Sequence, residues 1–489
     1  MDIRTRFAPS PTGYLHIGGL RTAYYNYLFA KKNKGKLILR IEDTDQERYV
    51  HGSIEALIKT LKTMGIEYDE GPILDNDKIA DFGENGPYVQ SKRLGLYREF
   101  AKQLVDSGHA YYCFCTKDRL AQVRHQQELA KLPTKYDRHC LHLSPDQIQE
   151  HVQAGDPYVI RLKVPEGETG FDDVIRGRIT IGNQEVDDQV LLKSDGFPTY
   201  HLAVVIDDHQ MGITHIIRGE EWLPSTPKHV ILYQAFDWQI PAFAHLPLIL
   251  NPDKTKLSKR QGDVAVEDFL AKGYLPEALI NFVALLGFNP KDDQEIYSRQ
   301  ELEQLFNLEK VNKSGAVFNI DKLNWLNEHY LRAKSEEELL DLIVPLLKSN
   351  QELPSREVLI KIIAVEKSRM TLVNDVVDRI SDYQGLPEYE SEILVWKKST
   401  KEDAAQQIHG LLIFIESLTD DNFTSVDLLE QAIKGYIKDN NLDNGSVLWP
   451  TRVALSGKSA SPSPFELLWV IGREQGMARL KQALRKLES

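Results

Sequence analysis

One stretch near the start of the chain limits the folds open to the rest. Residues 3–7 read as an extended run and residues 20–32 as a helix. Between them lies Ala8-Pro9-Ser10-Pro11-Thr12-Gly13-Tyr14-Leu15-His16-Ile17-Gly18-Gly19. A strand that passes through a tight Pro/Gly turn into a helix presents unpaired backbone N–H groups at the helix N-terminus, and the helix dipole adds partial positive charge there. Such a terminus attracts an anion. Gly18 and Gly19 carry no Cβ, so a phosphate can approach the backbone closely. His16 adds a side-chain donor at the same spot.

The residues that follow extend this pattern. The alternation Leu37, Leu39, Ile41 predicts a strand with Glu42, Asp43 and Asp45 just beyond its C-terminal end. In open α/β sheets that end is where ligands bind. Ser53 precedes Ile54, Leu57, Ile58, Leu61 and Met64, which is helical spacing behind a candidate cap. Strand and helix in this alternation predict a parallel, doubly wound sheet. Residues 69–86 are rich in Gly, Asp and Asn and read as loop. The alternation breaks from about residue 94 to 192, which reads as an insertion splitting the nucleotide fold. It resumes with residues 197–209, strands at 214–218 and 246–250, and a helix at 227–236 between them. Residues 251–262 form a polar loop, and helical periodicity dominates from residue 264 onward. Ser335 and Glu338 have capping-box spacing, and further helical runs fall at 360–365, 372–380, 408–415 and 428–433.

Composition narrows the class. A chain of 489 residues can bury several cores. It has no uncharged apolar run long enough to span a bilayer, and its first residues lack the apolar core of a signal peptide. The net charge of −13 argues against a protein that coats nucleic acid non-specifically, but not against a partner held by a local basic face.

Two further clusters carry chemistry. Lys256-Leu257-Ser258-Lys259-Arg260 sits in the polar loop, and its lysines can follow negative charge that moves onto a leaving phosphate. All three cysteines fall in one window, Cys113-Phe114-Cys115 and Cys140-Leu141-His142, with 24 residues between the pairs. Three thiolates and one imidazole make a closed tetrahedral zinc set, with His139 as the rival fourth ligand to His142. An odd cysteine count also points to a reducing compartment.

The opening motif resembles the HIGH signature of class I aminoacyl-tRNA synthetases in its glutamyl form, with Gly19 in place of the second histidine. Lys256 to Arg260 resembles the KMSKS signature, about 240 residues beyond the first. Together they resemble bacterial-type glutamyl-tRNA synthetases. The resemblance implies a Rossmann-like catalytic domain at 1–92 and 195–252, split by an acceptor-binding insertion with a zinc site at 93–194. A stem-contact domain would follow at 253–332, then two all-α anticodon-binding domains at 333–395 and 396–489. It implies that glutamate is activated by ATP and transferred to tRNA(Glu), with magnesium accompanying ATP, one structural zinc ion, a monomeric state and a cytoplasmic location. Activation in the family usually needs bound tRNA.

The resemblance also implies site residues. His16, Lys256 and Lys259 would be catalytic. Thr12, His16, Gly18, Gly19, Lys256, Ser258, Lys259 and Arg260 would hold ATP, and Arg6, Ala8, Ser10, Glu42, Tyr200 and Arg218 would contact glutamate. Charge supports this set. An arginine fork suits a carboxylate, and Glu42 suits the ammonium. Which of Arg6 and Arg218 holds which carboxylate is open. Residues 311–327 resemble the segment that touches the inner tRNA, with Phe318 and Trp325 expected in the core rather than as stacking platforms. The glutaminyl enzymes usually read Pro-Glu-Pro-Asn-Gly in the first motif and have β-barrel anticodon domains. A form that also charges tRNA(Gln), and a non-catalytic tRNA-binding relative, are the alternatives; the latter should lack His16, Lys256 or Lys259.

Overall fold

A computed structural model describes every residue except 1, 258–264, 291–292, 348–352, 398 and 489. Ser258, Lys259 and Arg260 therefore lie outside the described residues. The chain divides into one unit of residues 1–271 and 276–320 and another of 272–275 and 321–489.

The first unit is built on a mainly parallel set of strands. In chain order they are β1 (Arg4–Phe7), β2 (Lys36–Leu39), β3 (Glu168–Asp173), β4 (Gly177–Gly182), β5 (His215–Gly219) and β6 (Ala242–Leu246). β1 pairs with β2, and β5 with β6, both in parallel. Thr214 N–H donates to Arg4 O (2.9 Å), which joins β1 to the start of β5. The strand order is then β2-β1-β5-β6-β3, with β4 antiparallel at the edge. The β3–β4 hairpin belongs to the stretch expected to be inserted, yet β3 pairs with β6 through Asp173 and Phe243.

Helix α1 (Ile17–Lys32) follows β1 directly and buries Ile17, Leu20, Ala23, Tyr24, Tyr25 and Leu28. Helix α2 (Tyr200–Gln210) packs with α3 (Thr226–Ala235) over a core that includes Leu202, Val205, Ile231 and Leu232.

Several local expectations change. Residues 71–82 are a hairpin, Gly71–Asp75 against Lys78–Phe82, not a loop. Asn76 and Asp77 both adopt positive φ (48° and 58°), which a two-residue hairpin turn of matching twist requires. Ser53 is not the cap of its helix. Gly52 holds that position, and Ser53 Oγ instead donates to Pro11 O (3.0 Å), tying the helix to the opening motif. The strand expected at 246–250 is two pieces, β6 and Ile249–Leu250, because Pro247 between them has no N–H to give a ladder.

Among its described residues the second unit is helical throughout. The runs expected from periodicity are there as Glu336–Ile343, Arg356–Glu366, Asn374–Arg379, Lys401–Ser417 and Val426–Asp439. Ser335 and Glu338 close the expected capping box. The last helix, Pro464–Glu488, breaks at Gly472.

A buried charge cluster ties α2 to residues that precede the insertion. Arg40 is fully buried and donates to Asp208 (2.7 Å) and Glu42 (2.9 Å). Arg6 Nε donates to the same Asp208 (3.1 Å). The neighbouring Asp207 accepts from Arg93, Gln90 and Tyr97, each at 2.8 Å. Removing one member of a buried ion pair leaves the other without compensation. Asp208→Ala should therefore destabilise the first unit by about 3–5 kcal/mol. A lowered denaturant midpoint, followed by a probe in that unit, checks this; an unchanged midpoint would contradict it.

Candidate active site

A cavity of about 490 Å³ opens at the C-terminal ends of β1 and β5. The segment from Arg6 to His16 lines it, together with Gly18, Gly19, Glu42, Tyr200, Arg218 and Lys256. All six residues expected at glutamate are in this wall, and so are Thr12, His16, Gly18, Gly19 and Lys256 of the set expected at ATP. Arg21, Glu221 and Trp222 also line it and were not anticipated.

His16 is the N-cap of α1. Its Nδ1 accepts from Gly19 N–H (3.3 Å), so the imidazole satisfies one of the helix's orphan donors as well as facing the cavity. With Nδ1 as acceptor, the neutral ring carries its proton on Nε2. A Cβ on Gly18 would come within 2.9 Å of His16 Cε1, so glycine there is what leaves the ring its place. Lys256 is exposed and pairs with Leu250, and Leu257 N–H donates to Ile249 O (2.9 Å).

Arg6 makes its ion pair through Nε, and its terminal nitrogens meet no described partner. Burial raises the Glu42 carboxyl from its ordinary range, with Arg40 opposing. Arg218 stands beside His245 in the register of β5 and β6. Its Nε donates to His245 Nε2 (3.1 Å), one terminal nitrogen to Tyr200 Oη and His229 Nδ1 (3.2 Å each), the other to Thr226 Oγ1 (2.9 Å). No carboxylate of a described residue lies at ion-pair distance from it. A buried guanidinium held entirely by neutral acceptors keeps its charge for an anion from outside. Tyr200 stacks on Trp222 with centroids 4.1 Å apart.

Because a guanidinium only donates, His229 Nδ1 must accept. Its Nε2–H is then free to donate to His201 Nδ1, 3.0 Å away. Burial, then Arg218, holds His229 well below its ordinary pKa; burial, then Lys228, lowers His201 to about 3. None of Asp173, Asp208, Thr226, His229 and His245 lines the cavity. They act from behind its wall, where motif spacing gives no signal.

A second cluster lies in the inserted stretch. The Sγ atoms of Cys113, Cys115 and Cys140 are within 4.8 Å of one another, and those of Cys115 and Cys140 are 3.5 Å apart. Neither His142 nor His139 joins the group, and both are exposed. The reason is local. Residues His139–His142 form one helical turn, and neighbours one or two positions from the buried Cys140 do not share its face. The Tyr136 hydroxyl is there instead, 3.4 Å from Cys113 Sγ and 3.3 Å from Cys115 Sγ, and it accepts from Cys140 N–H (3.0 Å). The hydrogen bond with Cys140 holds the Cys113 thiol down to about 4, against burial. Arg119 donates to Cys115 Sγ (3.4 Å), and Arg161 lies 4.0 Å over the Tyr136 ring. The same Cys113–Cys140 bond pushes the Cys140 thiol up, so the pair holds one proton between them and one thiolate at Cys113; three sulfurs gathered this closely fit a cation that would displace that proton. Tyr136 carries no signal in the sequence, since zinc spacing is written in Cys and His and a tyrosine four residues before Cys140 reads as core.

In the segment resembling the tRNA-contacting one, Phe318 packs against Phe269 and Phe282 as expected. Trp325 does not: it is 42% exposed, with Lys322 Nζ 3.9 Å over its ring. A large aromatic is expected in the core by its apolar area, but Trp325 lies on the outer face of its helix.

The family described as tRNA synthetases class I (E and Q), catalytic domain, matches residues 2–325, and an anticodon binding domain matches 338–484. The fold and cavity are thus those of a class I synthetase. The chain is 45% identical over 494 residues to a glutamate–tRNA ligase of Alkaliphilus metalliredigens and 46% identical over 490 residues to one of Clostridioides difficile, covering 98% of both chains in each case. A crystal structure of a glutamate tRNA ligase from Elizabethkingia meningosepticum, in complex with its amino acid, superposes with a TM-score of 0.90 at 38% identity, covering 100% of both chains. The chain belongs to the glutamate–tRNA ligases. The alternative of a non-catalytic relative is set aside with this, and His16 and Lys256 are both in the cavity wall.

The depressed histidines make the site acid-sensitive. Between pH 6.5 and 3 the unfolded chain takes protons that folded His201 and His229 refuse, so stability falls as pH falls through that window. The expected loss by pH 5 is about 2 kcal/mol for each fully suppressed histidine. Ring resonances of both should stay in their neutral positions from pH 8 to 5; titration near 6.5 would contradict the geometry.

Proposed function

We propose that the cavity activates L-glutamate with ATP and that the chain then transfers it to the terminal adenosine of tRNA(Glu). The observation that carries this reading is the convergence of Arg6, Arg218, Tyr200 and Glu42 on the cavity that also holds the His16 turn and Lys256. Glutamate brings two carboxylates and one ammonium. The arginines suit the carboxylates and Glu42 the ammonium. Tyr200, which accepts from Arg218, has its own O–H left to donate.

The glutamate α-carboxylate oxygen attacks the α-phosphorus of ATP. The bond to the β-phosphate oxygen breaks and pyrophosphate leaves. A ribose hydroxyl of the tRNA then attacks the activated carbonyl and AMP departs. The chain's part is positioning and charge stabilisation. The α1 N-terminus and the His16 Nε2–H face the phosphates, Gly18 and Gly19 allow close approach, and Lys256 follows charge onto the leaving group. Lys259, Ser258 and Arg260 share that task on the strength of the sequence motif. Magnesium accompanies ATP and screens its phosphate charge, without a dedicated protein cage. A monomer in the cytoplasm is the reading for state and place; among the described residues no helix is long and apolar enough to cross a membrane.

A structural zinc ion would be held by Cys113, Cys115 and Cys140 with the Tyr136 oxygen in the fourth position, a closed set that leaves no position for catalysis. The domain limits expected from the sequence stand as part of this proposal.

Pyrophosphate exchange tests the activation step. Arg218→Gln should lower glutamate kcat/KM by at least about a hundredfold, the scale of a lost charge-assisted pair, and narrow the preference over glutamine. Wild-type selectivity in that variant would remove Arg218 from the recognition site. For zinc, Tyr136→Phe should weaken retention against a chelator by about tenfold or more, while His142→Ala should not. The opposite ranking, or metal-free native protein, would overturn the ligand set.

A further inference from the structure

Behind its direct partners Arg218 has a further support that the activation and transfer steps do not use. His245, its partner in the β5–β6 register, is itself held by Asp173 of β3. Asp173 Oδ2 lies 2.6 Å from His245 Nδ1 and accepts the His245 backbone N–H (3.0 Å). Its Oδ1 accepts the backbone N–H groups of Ile175 (3.0 Å) and Arg176 (2.9 Å). The three backbone N–H groups require both carboxylate oxygens to accept, and Arg218, which can only donate, requires an acceptor at His245 Nε2. The proton of the imidazole must therefore sit on Nδ1, which leaves Nε2 as a lone pair facing Arg218 Nε–H. All three side chains are buried.

We propose that His245 is a positioning residue for glutamate selectivity. Asp173 fixes it in the tautomer whose Nε2 accepts from Arg218, and that bond aims the guanidinium at the substrate carboxylate. The inference rests on the reading that Arg218 takes a carboxylate of glutamate. Its physical content is a constraint on sign. A carboxylate in place of His245 would neutralise Arg218 and compete with the substrate. The opposite tautomer, or a protonated ring, would set donor against donor. A neutral acceptor orients the guanidinium and leaves its charge unsatisfied. Asp173 secures this from one residue further back, with no charge of its own at the site. The arrangement assigns β3, within the inserted stretch, a role in choosing the amino acid.

Two substitutions separate positioning from bulk structure. In His245→Gln the side-chain oxygen reaches the place of Nε2 and can still accept from Arg218. In His245→Asn the amide reaches only the place of Nδ1, toward Asp173. Pyrophosphate exchange on the full-length protein, with tRNA, gives KM and kcat for glutamate, glutamine and ATP. His245→Asn should raise the glutamate KM about tenfold or more and narrow the glutamate-over-glutamine ratio by a similar factor, with ATP KM unchanged. His245→Gln should recover most of that loss. Equal losses in the two variants, a matching rise in ATP KM, or wild-type selectivity in His245→Asn would each overturn the proposal. Arg218→Gln run alongside tests the underlying reading: if it alters selectivity while His245→Asn does not, only the positioning role falls.

Discussion

Arg40 is the residue on which the site depends. It is completely buried, and the fold can hold it there only by surrounding it with acceptors. Asp208 and Glu42 accept its hydrogen bonds, and Asp207 lies 3.8 Å from its Nε. These partners come from chain segments more than 160 residues apart, before and after the insertion. A charge that cannot be left unpaired thus forces the two parts of the nucleotide fold into one register. Glu42 and Arg6 inherit their places from it, since Glu42 pairs with Arg40 and Arg6 shares Asp208.

The opposite treatment of Arg218 gives the cavity its sign. Around Arg40 every charge is matched. Around Arg218 the acceptors are His245, His229, Thr226 and Tyr200, and the nearest carboxylate in that chain of contacts, Asp173, stands behind a histidine. The protein has placed one compensated arginine and one uncompensated arginine within the same small fold. A ligand that ends in a carboxylate completes the second; an amide of the same shape meets donors with donors.

The parts of this that face the cavity were legible in the sequence. The turn from Arg6 to Gly19, the carboxylate after β2, Tyr200, Arg218 and Lys256 all stand at motif positions or strand ends, and all line one cavity. The helical second unit was legible because periodicity is a local signal. What escaped lies behind the wall. Asp173, His229 and His245 are joined to Arg218 by tertiary contacts that no spacing encodes. The fourth corner of the thiol cluster escaped because two residues along one helical turn point to different faces, which turned His142 outward and left the place to Tyr136. The 71–82 hairpin escaped because its turn residues, Asn76 and Asp77, also occur in loops.

At the centre of the site an uncompensated cation selects an anionic side chain. The direct measurement is calorimetric binding of two non-hydrolysable adenylate analogues to the full-length protein, one bearing the glutamyl and the other the glutaminyl group. They differ only in the terminal oxygen or amide. The glutamyl analogue should bind at least about a hundredfold tighter, since the glutaminyl one leaves a buried charged group without its partner. Equal affinities would contradict it.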